Sequence, residues 1–356
     1  MKKNFGLDLV RASAIILVLF CHSHLVYPGA YQLGFYGVEL FFVLSGFLIG
    51  QIIIRDVLSK PSFKNLLTFY KRRWLRTLPL YYTALLLLLL SHHLRNNDPQ
   101  SSWSYFFFTQ NFTTSIQTFF PVSWSLSIEE WSYLLIPLVL MILPVKKYRG
   151  YVILLFTAVW AFLILSGRLW SSIEMNPSYD DGIRKSIPLR LDAIIYGFAM
   201  ANVKMHFPKV FEFLSKSSIF LISFFTFIGL AIVSQNVLAY DFISEPLIPS
   251  TIGFSLIGVL FSSWLPFLST HSLIQKFGTV KPISSFFSRI SNYSYCIYLI
   301  HFSVFGWFIT YTAICWHWAL QFSIAVTLTI LIAAASFKFF EKPILEWRDR
   351  HVKIAP

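Results

Sequence analysis

The 356-residue chain is 56% hydrophobic and 19% aromatic, and only 13% of its residues are charged. A soluble domain carries roughly 25% charged residues, so the composition excludes one and indicates a polytopic membrane protein. The net charge of +13 does not indicate a nucleic-acid partner, because the basic residues fall in short segments on one side of the spans, as topology requires.

The chain opens with Lys2 and Lys3 before an apolar run, as a signal peptide does. Arg11 interrupts that run and no small-residue cleavage site follows, so the stretch is a retained first span, 5–27. It carries Asp8, Arg11, His22 and His24, and an ionisable side chain inside a span is costly, about 2.5–3.5 kcal/mol or more for Arg. Arg11 and His22 are eleven residues apart, which puts them on one helix face about 16.5 Å apart along the axis. A cation near one end and an imidazole near the other suggest a bound molecule that reaches through the membrane. His22 and His24 are two apart, on roughly opposite sides of the helix, and cannot chelate together; no metal is expected.

Nine further spans follow, at 36–54, 77–94, 124–144, 150–170, 187–205, 218–240, 250–270, 290–312 and 316–340. The expected fold is therefore an all-α bundle of about ten transmembrane helices. With the N-terminus inside, the inner segments hold 23 of the 29 basic residues and the outer segments hold Arg95, Arg168, Arg184 and Lys185. That bias puts both termini in the cytoplasm. The inner stretch Phe63–Arg76 is basic, aromatic and amphipathic, and reads as a helix lying flat on the membrane surface. The outer segment 95–123 is rich in Ser, Thr, Asn and aromatics, while span six contains Pro188, Arg190 and Asp192. Cys21, Cys296 and Cys315 have no paired spacing and read as small buried apolar residues. Residues 1–345 are read as one membrane domain and 346–356 as a short basic cytoplasmic tail, with no soluble domain before or after the bundle.

Three constellations stand out. His22, Glu39, Glu129 and Asp192 lie on four helices, about 5–8 Å below the outer boundary at about 1.5 Å per residue. His22 with a carboxylate partner, Glu129 or Glu39, would make an oriented general base for a hydroxyl; the alternative is that these groups form buried pairs locking helices together. In Lys71–Arg76, Arg73 and Arg76 share a helix face and, with Arg72, suit a phosphorylated donor or anionic lipid headgroups. Tyr295, Tyr298 and His301 line one face of span nine. There is no HEXXH, no Gly-rich phosphate loop followed by Lys, no G-x-S-x-G and no His-x-x-x-Asp of soluble acyltransferases.

Seven segments in order resemble the acyltransferase-3 family of integral membrane acyltransferases, bacterial O-antigen and polysaccharide O-acetylases among them. They are LDLVRASAIILVLFCHSH (7–24), YGVELFFVLSGFLIG (36–50), RRWLRTLPLYY (72–82), WSLSIEEWSYLLIP (124–137), RLDAIIYGFAMA (190–201), ISNYSYCIYLIH (290–301) and FFEKPI (339–344). The resemblance implies acyl transfer from a cytoplasmic acyl-coenzyme A, commonly acetyl, to a hydroxyl of a saccharide at the outer face of a bacterial inner membrane. That acceptor is an O-antigen, capsule, exopolysaccharide or other glycan, free or lipid-linked. It makes Arg11 and His22 the functional pair, Arg73 and Arg76 the donor-side arginines, and Glu129 the acid of WSLSIEEW. Position 39 is Glu where Asp is frequent, and Trp131 stands where Gln is common. Without the hydrolase-like domain some relatives append, the chain is expected to acylate its acceptor itself or hand the acyl group to a partner.

In the expected mechanism the donor phosphates dock on Arg72, Arg73 and Arg76, the pantetheine arm passes Arg11, and the thioester reaches His22, oriented by Glu129. His22 then acts as general base or carries the acyl group as acyl-imidazole. On the acceptor side stand Glu39, Trp124, Asn111, Asp192, Tyr298 and His301; Trp124 and Trp103 would stack on sugar rings or belong to an interfacial belt. The rival reading is a saccharide or acidic-solute transporter using the buried charges as a relay; it would favour inverted repeats, and none is visible.

Overall fold

The computed structural model describes residues 4–22, 33–96, 102–113, 119–143, 149–175, 177–240, 249–312 and 317–353, and no strand occurs among them. His24 and Cys315 lie outside the described residues.

Helix α1 (Phe5–Cys21) starts where the Asn4 side chain accepts from the Leu7 amide, satisfying one of the donors a helix start leaves open. The same side chain donates to the Ser269 carbonyl at 2.8 Å and pins the helix start. Helix α2 (Leu33–Ile52) continues through a π-helical turn, Ile53–Val57. Helix α3 (Phe63–His93) is capped by Ser62, which accepts from the Asn65 amide. Its 31 residues are about 46 Å long at about 1.5 Å each, more than the hydrocarbon core of about 30 Å. The basic stretch 63–76, expected to lie flat on the surface, is instead the first half of this continuous helix. One continuous helix keeps its backbone paired apart from the amide that Pro79 withholds from the Leu75 carbonyl, while its charged end projects past the core.

A short turn, α4 (Trp103–Phe106), precedes α5 (Ser123–Ile142) and α6 (Arg149–Glu174). Expected span six is broken: α7 (Ile187–Arg190) ends and α8 (Ile195–His206) begins after a turn. The break is tolerated because protein groups satisfy its carbonyls. Trp160 Nε1 donates to the Leu191 carbonyl at 3.1 Å and Arg168 Nη1 to that of Leu189 at 3.0 Å. Then come α9 (Pro208–Leu214), α10 (Ser217–Tyr240), α11 (Phe254–Thr270), α12 (Ser272–Phe277), α13 (Lys281–Thr312) and α14 (Trp318–Ser336). α14 runs on through a π-helical turn into α15 (Lys342–His351), so the boundary expected at 345 falls inside a helix.

Among the described residues, six helical stretches are long and apolar enough to cross a bilayer, seven if α9 and α10, bent by 61°, form one span. The other three expected spans fall on α1, on the 12-residue α8 and on the polar-striped α13. The outward faces of α3 and α6 present Leu86, Leu87, Leu90, Phe162, Leu163 and Trp170, the surface a lipid environment would cover.

Short α8 crosses α2 at two reciprocal glycines. A Cβ on Gly46 would lie 2.1 Å from the Ile194 carbonyl oxygen, and one on Gly197 would lie 1.9 Å from that of Val43. Backbones in lipid approach this closely only through such small residues. The contact fixes α8 against α2 and so sets where Arg190 and Asp192 sit.

Candidate active site

A cavity of about 550 Å3 opens between α1, α2, α3, α5 and α13. Six arginines line it, Arg11, Arg55, Arg72, Arg73, Arg76 and Arg348, against two carboxylates, Asp56 and Glu129. The excess of positive charge makes it an anion chamber.

Each arginine is held differently. Arg11, on α1, donates to Ser291 Oγ at 3.3 Å; Ser291 and Ser288 on α13 in turn donate to the two Asp8 carboxylate oxygens, both at 2.9 Å. This polar seam fixes Arg11 in register with α13. Arg73 Nη2 lies 3.3 Å from Glu129 Oε2, and its guanidinium sits 4.2 Å from the centroid of the Tyr133 ring. Glu129 Oε1 accepts from Ser45 at 3.1 Å. Arg76, one turn on, has no hydrogen-bond partner among the described residues and is open to the cavity.

At its deep end the chamber is lined by Ser125 and Tyr298, whose hydroxyls are hydrogen-bonded at 2.6 Å. One turn beyond Tyr298 on α13 is His301, fully buried, and beside it His22, which ends α1. For neutral rings, the hydrogen-bond partners assign both tautomers. His301 Nδ1 faces the Tyr298 and Ile297 carbonyls at 2.8 and 3.1 Å, so it carries the proton and donates. His301 Nε2 therefore bears a lone pair, and His22 Nδ1 lies 3.2 Å from it and 2.9 Å from the Val18 carbonyl. Two acceptors at His22 Nδ1 require an N–H there, which leaves the basic lone pair on His22 Nε2.

The carboxylate partner expected for His22, Glu129 or Glu39, is engaged elsewhere in both cases. Glu129 is taken by Arg73 and Ser45, on the chamber side of the Ser125–Tyr298 bond. Glu39 accepts from Arg190 Nη2 at 2.5 Å, with the two side chains 2% and 0% exposed. Asp192 accepts from Arg168 at 2.7 Å and from Tyr196 at 3.0 Å, again fully buried. Both pairs fasten the broken α7–α8 element to α2 and α6, the helix-locking alternative. Depth along each helix was legible in sequence, but azimuth was not.

The remaining candidates fall as follows. Asn111 is buried and donates to the Trp124 and Lys185 carbonyls at 3.1 and 2.6 Å, tying 102–113 to the bundle. Trp124 is buried with the Arg184 guanidinium 4.7 Å from its ring centroid, whereas Trp103 is 74% exposed. Arg72 lies at the chamber mouth against Asp349 at 2.7 Å. Cys21 and Cys296 are buried. Sequence reasoning missed Ser45, Ser125, Tyr133 and Arg348. The serines and the tyrosine belong to recognisable motifs but look like ordinary helix residues, and Arg348 looked like one more topological charge. In the 179–185 turn, burial raises the Asp180 carboxyl, but Arg184 and Lys185, each at 2.5 Å, overcome this and hold it below its ordinary value.

The fold and site define a helical membrane bundle that encloses an arginine-lined chamber, with a pair of imidazoles just past its end. The acyltransferase-domain family model matches residues 4–338. The chain belongs to the acyltransferase-3 family. It is 26% identical to "Putative O-acetyltransferase SAR0937" of Staphylococcus aureus (strain MRSA252), over 98% of this chain and 59% of that protein. It is likewise 26% identical to "O-acetyltransferase OatA" of Staphylococcus aureus (strain NCTC 8325 / PS 47), over 95% of this chain and 57% of that protein. The chain thus spans about three fifths of the length of the curated relatives it matches. No solved structure matches it significantly.

Proposed function

We propose that this multi-pass membrane acyltransferase is an O-acetyltransferase. It moves an acetyl group from cytoplasmic acetyl-coenzyme A to a hydroxyl of a cell-surface saccharide at the outer face of a bacterial inner membrane. The single observation that carries the reading is the arginine-lined chamber leading to the Ser125–Tyr298 bond beneath the His22–His301 pair. The names of the relatives support acetyl as the group and oxygen as its destination. The bias of basic residues toward the segments flanking the N- and C-termini supports a cytoplasmic chamber mouth, at Arg72 and Arg76, on the side where acyl-coenzyme A is made.

Phosphates of the donor bind Arg72 and Arg76, with Arg73 held in place by Glu129 and Tyr133. The pantetheine arm runs past Arg11 toward Tyr298. The 11-residue separation of Arg11 from His22, about 16.5 Å of helix, matches the length of an extended arm. Parting of the Ser125–Tyr298 hydrogen bond admits the thioester to His22. His22 Nε2 takes the proton of the acceptor hydroxyl, whose oxygen attacks the thioester carbonyl carbon. The carbon–sulfur bond breaks, and the departing thiolate takes the proton back from His22. His301 Nε2 accepts from His22 Nδ1–H throughout and strengthens as an acceptor when the ring becomes cationic, so it is a positioning residue.

The test is purified protein in liposomes with labelled acetyl-coenzyme A. Acceptor-dependent release of free thiol is the expected result. Movement of acceptor across the membrane without thiol release would establish the transporter reading instead.

A further inference from the structure

Helix α15 lies beyond the matched segment 4–338, yet it reaches the chamber mouth. Arg348 lines the cavity and its side chain is 14% exposed, packed against α3 through Nη1, which donates to the Arg72 carbonyl at 3.4 Å. Arg72, 26% exposed, also donates to the Val352 carbonyl, so the two guanidinium groups are fixed side by side. Three further N–H groups of the pair converge on a single atom. Asp349 Oδ1 accepts from Arg72 Nη2 at 2.7 Å, from Arg348 Nη2 at 2.8 Å and from Arg348 Nε at 3.0 Å.

Three N–H donors on one oxygen form the cradle that a phosphate oxygen occupies, since guanidinium forks match carboxylate and phosphate alike. The carboxylate now in it is 54% exposed, and an exposed ion pair contributes little, about 0–1 kcal/mol. A multiply charged phosphate that also feels Arg76 and Arg73 has the stronger claim on the same donors.

We infer that Arg348 and Arg72 form a phosphate cradle for the nucleotide end of the donor, and that Asp349 is a placeholder carboxylate displaced when the donor binds. This rests on the acyl-coenzyme A reading above and adds to it a residue outside the matched domain, with a built-in competitor that tunes donor affinity. The shared chemistry is a phosphate oxygen, which an anionic lipid headgroup also presents. Position favours the donor, because the cradle opens into the same chamber as Arg11, Arg73 and Arg76.

The test measures coenzyme A binding by calorimetry with the full chain in nanodiscs of zwitterionic lipid. Arg348→Gln should weaken binding about tenfold, the loss of one charge-assisted contact. Asp349→Asn should tighten it several-fold by removing the competitor. The opposite signs matter, since a pair that merely docked α15 would make both variants weaker, and that result overturns the inference. Wild-type binding with Arg348→Gln unchanged removes the role of Arg348 alone. Failure of the wild type to bind coenzyme A sinks the donor reading and this cradle together. Native mass spectrometry supplies the lipid arm: if Arg348→Gln loses bound phosphatidylglycerol but keeps its coenzyme A affinity, the cradle serves lipid and the inference falls.

Discussion

Replacing Arg190 with methionine separates structural from chemical roles for the buried charges. The change strips Glu39 of its partner while both groups are sealed from solvent. It also removes the guanidinium from the Phe254 ring, 3.9 Å from its centroid, and from the Arg184 carbonyl at 3.3 Å. The Coulomb term alone is about 4 kcal/mol at a separation of about 4 Å and an effective dielectric of about 20. Removing one member of a buried pair costs about 3–5 kcal/mol, because the other charge stays behind uncompensated. With an unfolding entropy of about 2.1 cal/mol/K per residue, or about 1.3 °C per kcal/mol for a chain of 356 residues, the midpoint of thermal inactivation in nanodiscs should fall by about 5 °C. The double variant Arg190→Met with Glu39→Leu should recover most of that loss, because an apolar pair leaves no stranded charge. Transfer per folded molecule should change little in either variant. An Arg190→Met protein with an unshifted midpoint and no transfer would refute the locking role and return Glu39 to the chemistry.

His22→Ala and Arg11→Ala should each abolish transfer while membrane insertion and expression persist; an active, well-expressed His22→Ala variant would end the mechanism. Arg73→Ala with Arg76→Ala should raise the donor KM, and unchanged donor dependence would reduce these arginines to topological charges. His301→Phe should lower kcat by about 100-fold, at the low end of what a positioned base contributes, with the donor KM unchanged. His301→Gln, whose amide oxygen can still accept from His22 Nδ1–H, should recover part of that rate, and equal loss in both variants would assign His301 a packing role only. Asp180, held below its ordinary value by Arg184 and Lys185 against the opposing effect of burial, stabilises the 179–185 turn fully above its unfolded value of about 3.9. That contribution is lost as pH falls through the lower folded value. Hydrogen exchange over 179–185 should therefore stay slow at pH 5 and accelerate below about pH 4, and acceleration already at pH 5–6 would contradict the assignment.

Much of the site could be read along each helix and little of it between helices. Arg11 and His22 share a helix face by spacing alone, and Arg73 and Arg76 likewise, because helical periodicity is local. Which carboxylate meets His22 depends on rotation and translation of whole helices, and those are set by long-range contacts such as the Gly46–Gly197 crossing of α2 and α8. Thus the three carboxylates at one depth went to three different arginines, Glu129 to Arg73, Glu39 to Arg190 and Asp192 to Arg168. His301, by spacing only part of a polar stripe, became the partner of His22.

Composition and motif order by themselves determined the class: a membrane-embedded helical member of the acyltransferase-3 family, with an arginine cluster and an imidazole separated along its helices. These follow from one-dimensional properties, hydropathy against bilayer thickness and residue spacing on a helix. Only the tertiary structure decided that 63–76 continues straight into a span, that 187–205 is broken, and that α15 returns to the chamber mouth. It alone decided which charges lock helices and which face the cavity. The physical reason is that a buried charge takes whatever counter-charge the packing brings within a few ångströms, and packing is a property of helix faces far apart in sequence.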